Sequence, residues 1–263
     1  MPVAQAVLII EVLTISPAMW WFWRRRQKEV GCIWTEADVP TVSIHPIAVA
    51  LTFAMIGISL AFVFGLMRAD EVADKVGSIN NVWWGNLFHA LVALVLLPMA
   101  IGGDLRRLPG LGFGLAHWQQ QIVEGMQTAL ASFLPVLGVL LITSAFRSPQ
   151  KTHPLLRLLQ QNDGTEALLA IVLAAVIFAP LVEELMFRVV LLGWLKTRTT
   201  SREAIVVSSL LFAAVHGPLD GLALVPLALL LGLLYDRRKS FWSVFVAHAF
   251  FNLWNIALTL SAR

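Results

Sequence analysis

Glu183-Glu184-Leu185-Met186-Phe187-Arg188 sets three ionisable groups inside an otherwise apolar run from Glu166 to Leu195. A run of that length reaches across a bilayer, and a charge at the centre of a membrane helix costs roughly 2.5–3.5 kcal/mol on insertion scales. Such groups need partners and mark where function is to be sought. Two later apolar segments supply them, Phe212-Ala213-Ala214-Val215-His216 and His248-Ala249-Phe250-Phe251-Asn252. A carboxylate and a histidine can hold and deprotonate a water. A second histidine and a carboxamide can donate to the oxyanion of a tetrahedral intermediate. Together they describe a hydrolase of the acyl-transfer class with water as nucleophile. Histidine and glutamate are equally ordinary zinc ligands. No His-Glu-x-x-His motif is present, which disfavours a zinc hydrolase of that kind.

Spacing divides the labour. His248 and Asn252 are four apart and share a helix face, as do Glu184 and Arg188, in the favoured order for an ion pair. Glu183 is turned about 100° from Glu184, so the two cannot point the same way. The simplest assignment pairs Glu184 with Arg188 as a buttress and leaves Glu183 facing a cavity that Phe212 walls. Counted along the helices at about 1.5 Å per residue, Glu183 and His216 lie about 18 Å deep, Asn252 about 17 Å and His248 about 10 Å.

The elements that must hold these groups are membrane helices. The 263 residues are 58% hydrophobic and 13% charged, with a mean hydropathy of +0.78, whereas soluble domains average about 25% charged. The strand alternation of a closed barrel is absent. Eight apolar segments are expected, approximately 3–23, 46–67, 82–103, 126–146, 166–195, 204–217, 221–236 and 241–260. The fold class is therefore all-α, a multi-pass transmembrane bundle of about eight helices. The sixth and seventh segments form a short hairpin broken at Gly217-Pro218-Leu219-Asp220-Gly221. Pro180 should kink the fifth. The stretch 105–124 lies along the interface or continues into the fourth span.

Arg24-Arg25-Arg26 and Lys28 follow the first segment, marking it as an anchor with its N-terminus outside rather than a cleaved leader. That orientation puts Arg106, Arg107, Lys196, Arg198, Arg202, Arg237, Arg238 and Lys239 inside as well, about twice the basic count of the outer side. The net charge of +3 is thus accounted for by topology, and nucleic acid is not an expected partner. The single cysteine, Cys32, excludes an internal disulfide and a cysteine-based metal cluster. Glu11, Asn86 and His89 lie in apolar segments without a motif around them and are expected to serve helix packing.

Glu183-Glu184-x-x-x-Arg188, Phe212-x-x-x-His216 and His248-x-x-x-Asn252 match in order the three motifs of the CAAX-protease and bacteriocin-processing family, the Abi or Rce1-type glutamate intramembrane proteases. His153-Pro154-Leu155-Leu156, Ala179-Pro180-Leu181-Val182 and Gly232-Leu233-Leu234-Tyr235 resemble that family's intervening stretches. The similarity covers about residues 150–255, which splits the chain into N-terminal transmembrane helices over 1–149 and a catalytic core over 150–263. Each motif alone is weak; the three in order on membrane segments are specific. The resemblance implies an intramembrane endopeptidase without a covalent intermediate, cofactor or metal. By similarity, Glu183 and His216 would activate water, and His248 and Asn252 would form the oxyanion hole. Glu184, Arg188 and Phe212 would support them. Val189 stands where many bacterial members carry glycine, a packing difference that leaves the chemistry untouched. The implied partners are membrane lipid and a peptide or protein substrate, lipidated or not, at a bacterial inner membrane. The contrasting expectation is a non-proteolytic scaffold or bacteriocin-immunity protein on the same fold.

Overall fold

Continuous apolar runs leave the backbone one economical solution in lipid, which is to satisfy every N–H and C=O within its own helix. The computed structural model follows that rule, and it describes residues 3–36, 42–68, 78–146, 154–161 and 164–261. His153 lies outside them. The chain is an all-α, multi-pass bundle, with no strand among the described residues. Its helices are α1 (Val3–Val30), α2 (Pro46–Arg68), α3 (Ile79–Ile101), α4 (Trp118–Thr143) and the short α5 (Pro154–Gln161). They continue with α6 (Thr165–Leu195), α7 (Ser201–Ala214), α8 (Pro218–Arg238) and α9 (Phe241–Ser261). Six of them, α2, α3, α4, α6, α8 and α9, are long and apolar enough to cross a membrane. The stretch 105–124 divides: two 3-10 turns occupy Leu105–Arg107 and Pro109–Leu111, and α4 begins at Trp118, earlier than the expected 126.

The middle of the bundle is the second half of α6. Every residue from Leu185 to Leu192 is buried, so this stretch is wrapped by protein rather than lipid. Phe212, Leu227, Leu231, Leu234, Phe241 and Val244 from α7, α8 and α9 pack in the same core. Arg188 is fully enclosed among them, which removes it from hydrocarbon altogether.

Helix 6 runs unbroken through Pro180 by changing its pitch. Leu173–Phe178 and Leu185–Leu192 adopt π-helical turns on either side of the α-helical Ala179–Glu184. Such bulges accommodate a lost i→i−4 bond and recur at functional sites.

Two close approaches fix the helices that carry the histidines. A Cβ on Gly221 would lie 2.0 Å from the Ala213 carbonyl oxygen, so α7 and α8 meet backbone to backbone. The break between them is narrower than the sequence suggests. Only Val215, His216 and Gly217 interrupt the helices, Gly217 at φ 88°, and Pro218 already occupies the first turn of α8, where its missing N–H costs nothing. Across the bundle, a Cβ on Gly125 would come within 2.6 Å of the Ser243 carbonyl, pressing α4 against the start of α9. Ser240 Oγ donates to Gln121 Oε1 at 2.8 Å, and Phe133 stacks on Phe251 at 5.4 Å, which sets the axial position of α9.

Candidate active site

Helix 6 brings its acids to the core on adjoining faces. Glu183 Oε2 lies 3.6 Å from His216 Nε2 and 3.8 Å from His248 Nε2. The carboxylate therefore sits between two imidazoles donated by α9 and by the end of α7, beyond direct hydrogen-bond range of either. Glu183 and His216 keep about 21% of their side-chain surface exposed, whereas His248 is nearly enclosed. The opening is on the Glu183–His216 side.

Glu184 faces the other way and is fully buried. Its Oε2 is 3.3 Å from Arg188 Nε, and its Oε1 is 2.7 Å from His248 Nδ1. It thus joins the buttress to the second histidine. Arg188 also directs Nη2 toward the Ala228 carbonyl at 3.5 Å and stacks its guanidinium 4.8 Å from the centre of the Phe212 ring. Phe212 in turn touches both imidazoles, with centroids 4.6 Å from His216 and 5.6 Å from His248. Phe187 packs edge-on to it at 5.3 Å.

The surroundings decide where the ring hydrogens sit. His216 Nδ1 is 2.7 Å from the Phe212 carbonyl oxygen, which can only accept, so Nδ1 carries hydrogen. Glu184 balances the buried Arg188 as an anion, so His248 Nδ1 donates to it in the same way. Whenever a ring is neutral, its Nε2 lone pair then faces Glu183. The Glu183 carboxylate and the two Nε2 atoms converge on one small volume, an arrangement suited to exchange protons with a single water. His248 can donate from Nε2 only after taking up a proton, and Glu184 stands behind it to share that charge.

Of the expected site residues, the structure gathers Glu183, Glu184, Arg188, Phe212, His216 and His248. Asn252 is on the same face of α9 as His248, but its Nδ2 donates to the Ala175 carbonyl at 2.7 Å, about two turns before Glu183. The Glu184–His248 bond is the contact that sequence reasoning missed. The depth count placed His248 about 8 Å from the Glu183 layer, because it ignores helix tilt and the reach of two long side chains. Among the packing residues, Asn86 Nδ2 donates to the Ala170 carbonyl at 3.1 Å, and His89 Nδ1 lies 2.7 Å from the Gly85 carbonyl. No cluster of three or more histidine, cysteine, aspartate or glutamate side chains arranged to hold a metal occurs among the described residues.

Residues 165–254 match the family model described as type II CAAX prenyl endopeptidase Rce1-like. The chain is also 25% identical over 221 residues to a Bacillus subtilis protein named "Putative membrane peptidase YdiL", covering 79% of this chain and 83% of that one. No solved structure matches it. The matched segment contains Asn252 as well as Glu183, His216 and His248, and on the last three sequence likeness and spatial convergence coincide. Over its 165–254 segment, this multi-pass membrane protein is similar to the Rce1-like, type II CAAX prenyl endopeptidases.

Proposed function

We propose that the chain is an intramembrane endopeptidase of the cell membrane, a bacterial inner membrane, with its catalytic core in 150–263. The observation that carries this reading is Glu183 Oε2 set 3.6 and 3.8 Å from the Nε2 atoms of two histidines inside a protein-lined core. Water entering on the exposed side gives a proton to Glu183, with His216 Nε2 as its second acceptor. The resulting hydroxide attacks the scissile carbonyl carbon, and the carbonyl π pair moves onto oxygen. His248, which takes a proton from solvent at Nε2 before the attack and keeps it throughout, is backed by Glu184 and donates to that oxyanion together with the second amide hydrogen of Asn252. When the intermediate collapses, the C–N bond breaks and the proton on Glu183 passes to the leaving amine. The products are a carboxylic acid and an amine, and the acid–base pair is regenerated.

The family name points to prenylated C-terminal peptides as one substrate class, and a farnesylated fluorogenic CAAX peptide is the direct probe. A second probe does not assume lipidation. Membranes lacking this chain are complemented with wild type or with His216→Ala, and their new protein termini are compared. The account expects termini that appear with wild type alone. Identical termini in both, with both proteins inserted, would favour the scaffold or immunity role.

A further inference from the structure

Pro180 carries no N–H, so helix 6 must leave one carbonyl without its usual donor. In an uninterrupted α-helix that carbonyl would belong to Val176, four residues earlier. The π-turns over Leu173–Phe178 shift the pairing by one, and Ala179 N–H bonds to the Ala174 oxygen. In this register the donor due to the Ala175 carbonyl is the absent N–H of Pro180. Asn252 Nδ2 reaches that same oxygen at 2.7 Å from α9. An unpaired carbonyl in a membrane interior is costly, so the bulge is stable where such a donor meets it.

The bulge also determines which acid does what. One residue of helical phase is about 100°, which is the angle separating Glu183 from Glu184. Pulling the π-turn straight would rotate the two carboxylates by that angle relative to the α6 segment anchored by Ala170 and Ala175. The acid that faces His216 would then be exchanged. We propose that Asn252 is a positioning residue: its amide caps the carbonyl orphaned by Pro180 and holds the phase of helix 6 that points Glu183 at the two imidazoles. This deepens the reading of Glu183 as the acid–base group, and it leaves Asn252 one amide hydrogen for substrate.

A double-mutant cycle on the purified full-length chain in detergent micelles tests the coupling. Its readouts are thermal unfolding and the ring ¹⁵N NMR signals of His216 and His248, neither of which needs turnover. Failure of the protease reading would appear in cleavage assays and leave these readouts unmoved. In the native background, Asn252→Ala is expected to lower Tm by about 2–4 °C and to move both ring signals. In the Pro180→Ala background the new N–H serves the carbonyl. There, Asn252→Ala should shift Tm by less than about 1 °C and leave the ring signals in place. Asn252→Ser, which shortens the donor beyond reach, provides the same cycle if the alanine variant does not fold. Equal Tm losses in both backgrounds, or unmoved ring signals in the native one, would overturn the proposal.

Discussion

Arg188, Glu184 and His248 form a chain of contacts in which a buried cation fixes a buried anion and the anion fixes an imidazole tautomer. Removing one member of a buried pair strands the other. Glu184→Gln is therefore expected to cost about 3–5 kcal/mol and to appear as a lower unfolding temperature. Glu184→Gln with Arg188→Met removes both charges and should recover most of that stability. Turnover should stay low in the double variant, because a neutral amide cannot share the positive charge of protonated His248. Recovery of turnover together with stability would reduce Glu184 to packing. The identity of these residues was legible in the sequence because ionisable groups in an apolar run are conspicuous. The Glu184–His248 bond was not, because i,i+4 reasoning reports only on neighbours within one helix. Glu124 was hidden similarly: it meets Arg238 at 2.8 Å across 114 residues, and spacing carries no trace of such a pair.

At the level of elements, the site depends on where helices stop and how closely they pass. Thr200 and Glu203 form a capping box that starts α7, and Gly217 ends the hairpin turn beside His216. Gly221 admits the Ala213 carbonyl at a distance no side chain tolerates. Gly221→Ala should splay α7 from α8, destabilise the chain by about 1–3 kcal/mol or more, and displace His216. Thermal unfolding and the His216 ring signal both report it, and an unchanged Tm would contradict the packing described. Eight apolar segments in the sequence correspond to eight of the nine helices among the described residues, and for the six that are long and apolar enough to cross a membrane the run length is set directly by bilayer thickness. The seventh is longer than expected. Pro218-Leu219-Asp220 reads as a breaker in sequence yet forms a first helical turn, where proline is favoured and Asp220 complements the helix dipole. The π-turns around Pro180 were invisible for a related reason. Proline announces a lost hydrogen bond but not the way a partner helix compensates for it.

For the whole molecule, orientation and chemistry make separate predictions. Cys32 is the single cysteine and follows α1, on the side that the basic residues Arg24, Arg25, Arg26 and Lys28 are expected to hold inward. A membrane-impermeant thiol reagent should leave it unlabelled in intact cells and label it in inverted vesicles. Labelling in intact cells would invert the topology. Exhaustive chelation should leave cleavage unchanged, since the proposed nucleophile is activated by Glu183 and His216 without a metal. Lost activity restored by zinc would replace that mechanism.

The central claim is that Glu183, held between His216 and His248, activates water for peptide hydrolysis. The most direct measurement is cleavage of the farnesylated fluorogenic peptide, or of a substrate found by terminus comparison, in proteoliposomes holding wild type, Glu183→Gln or His216→Ala. Each variant is first shown to insert and to unfold at the wild-type temperature. The account predicts a fall of about 10²–10⁴-fold in kcat for both. Wild-type turnover by Glu183→Gln would contradict it.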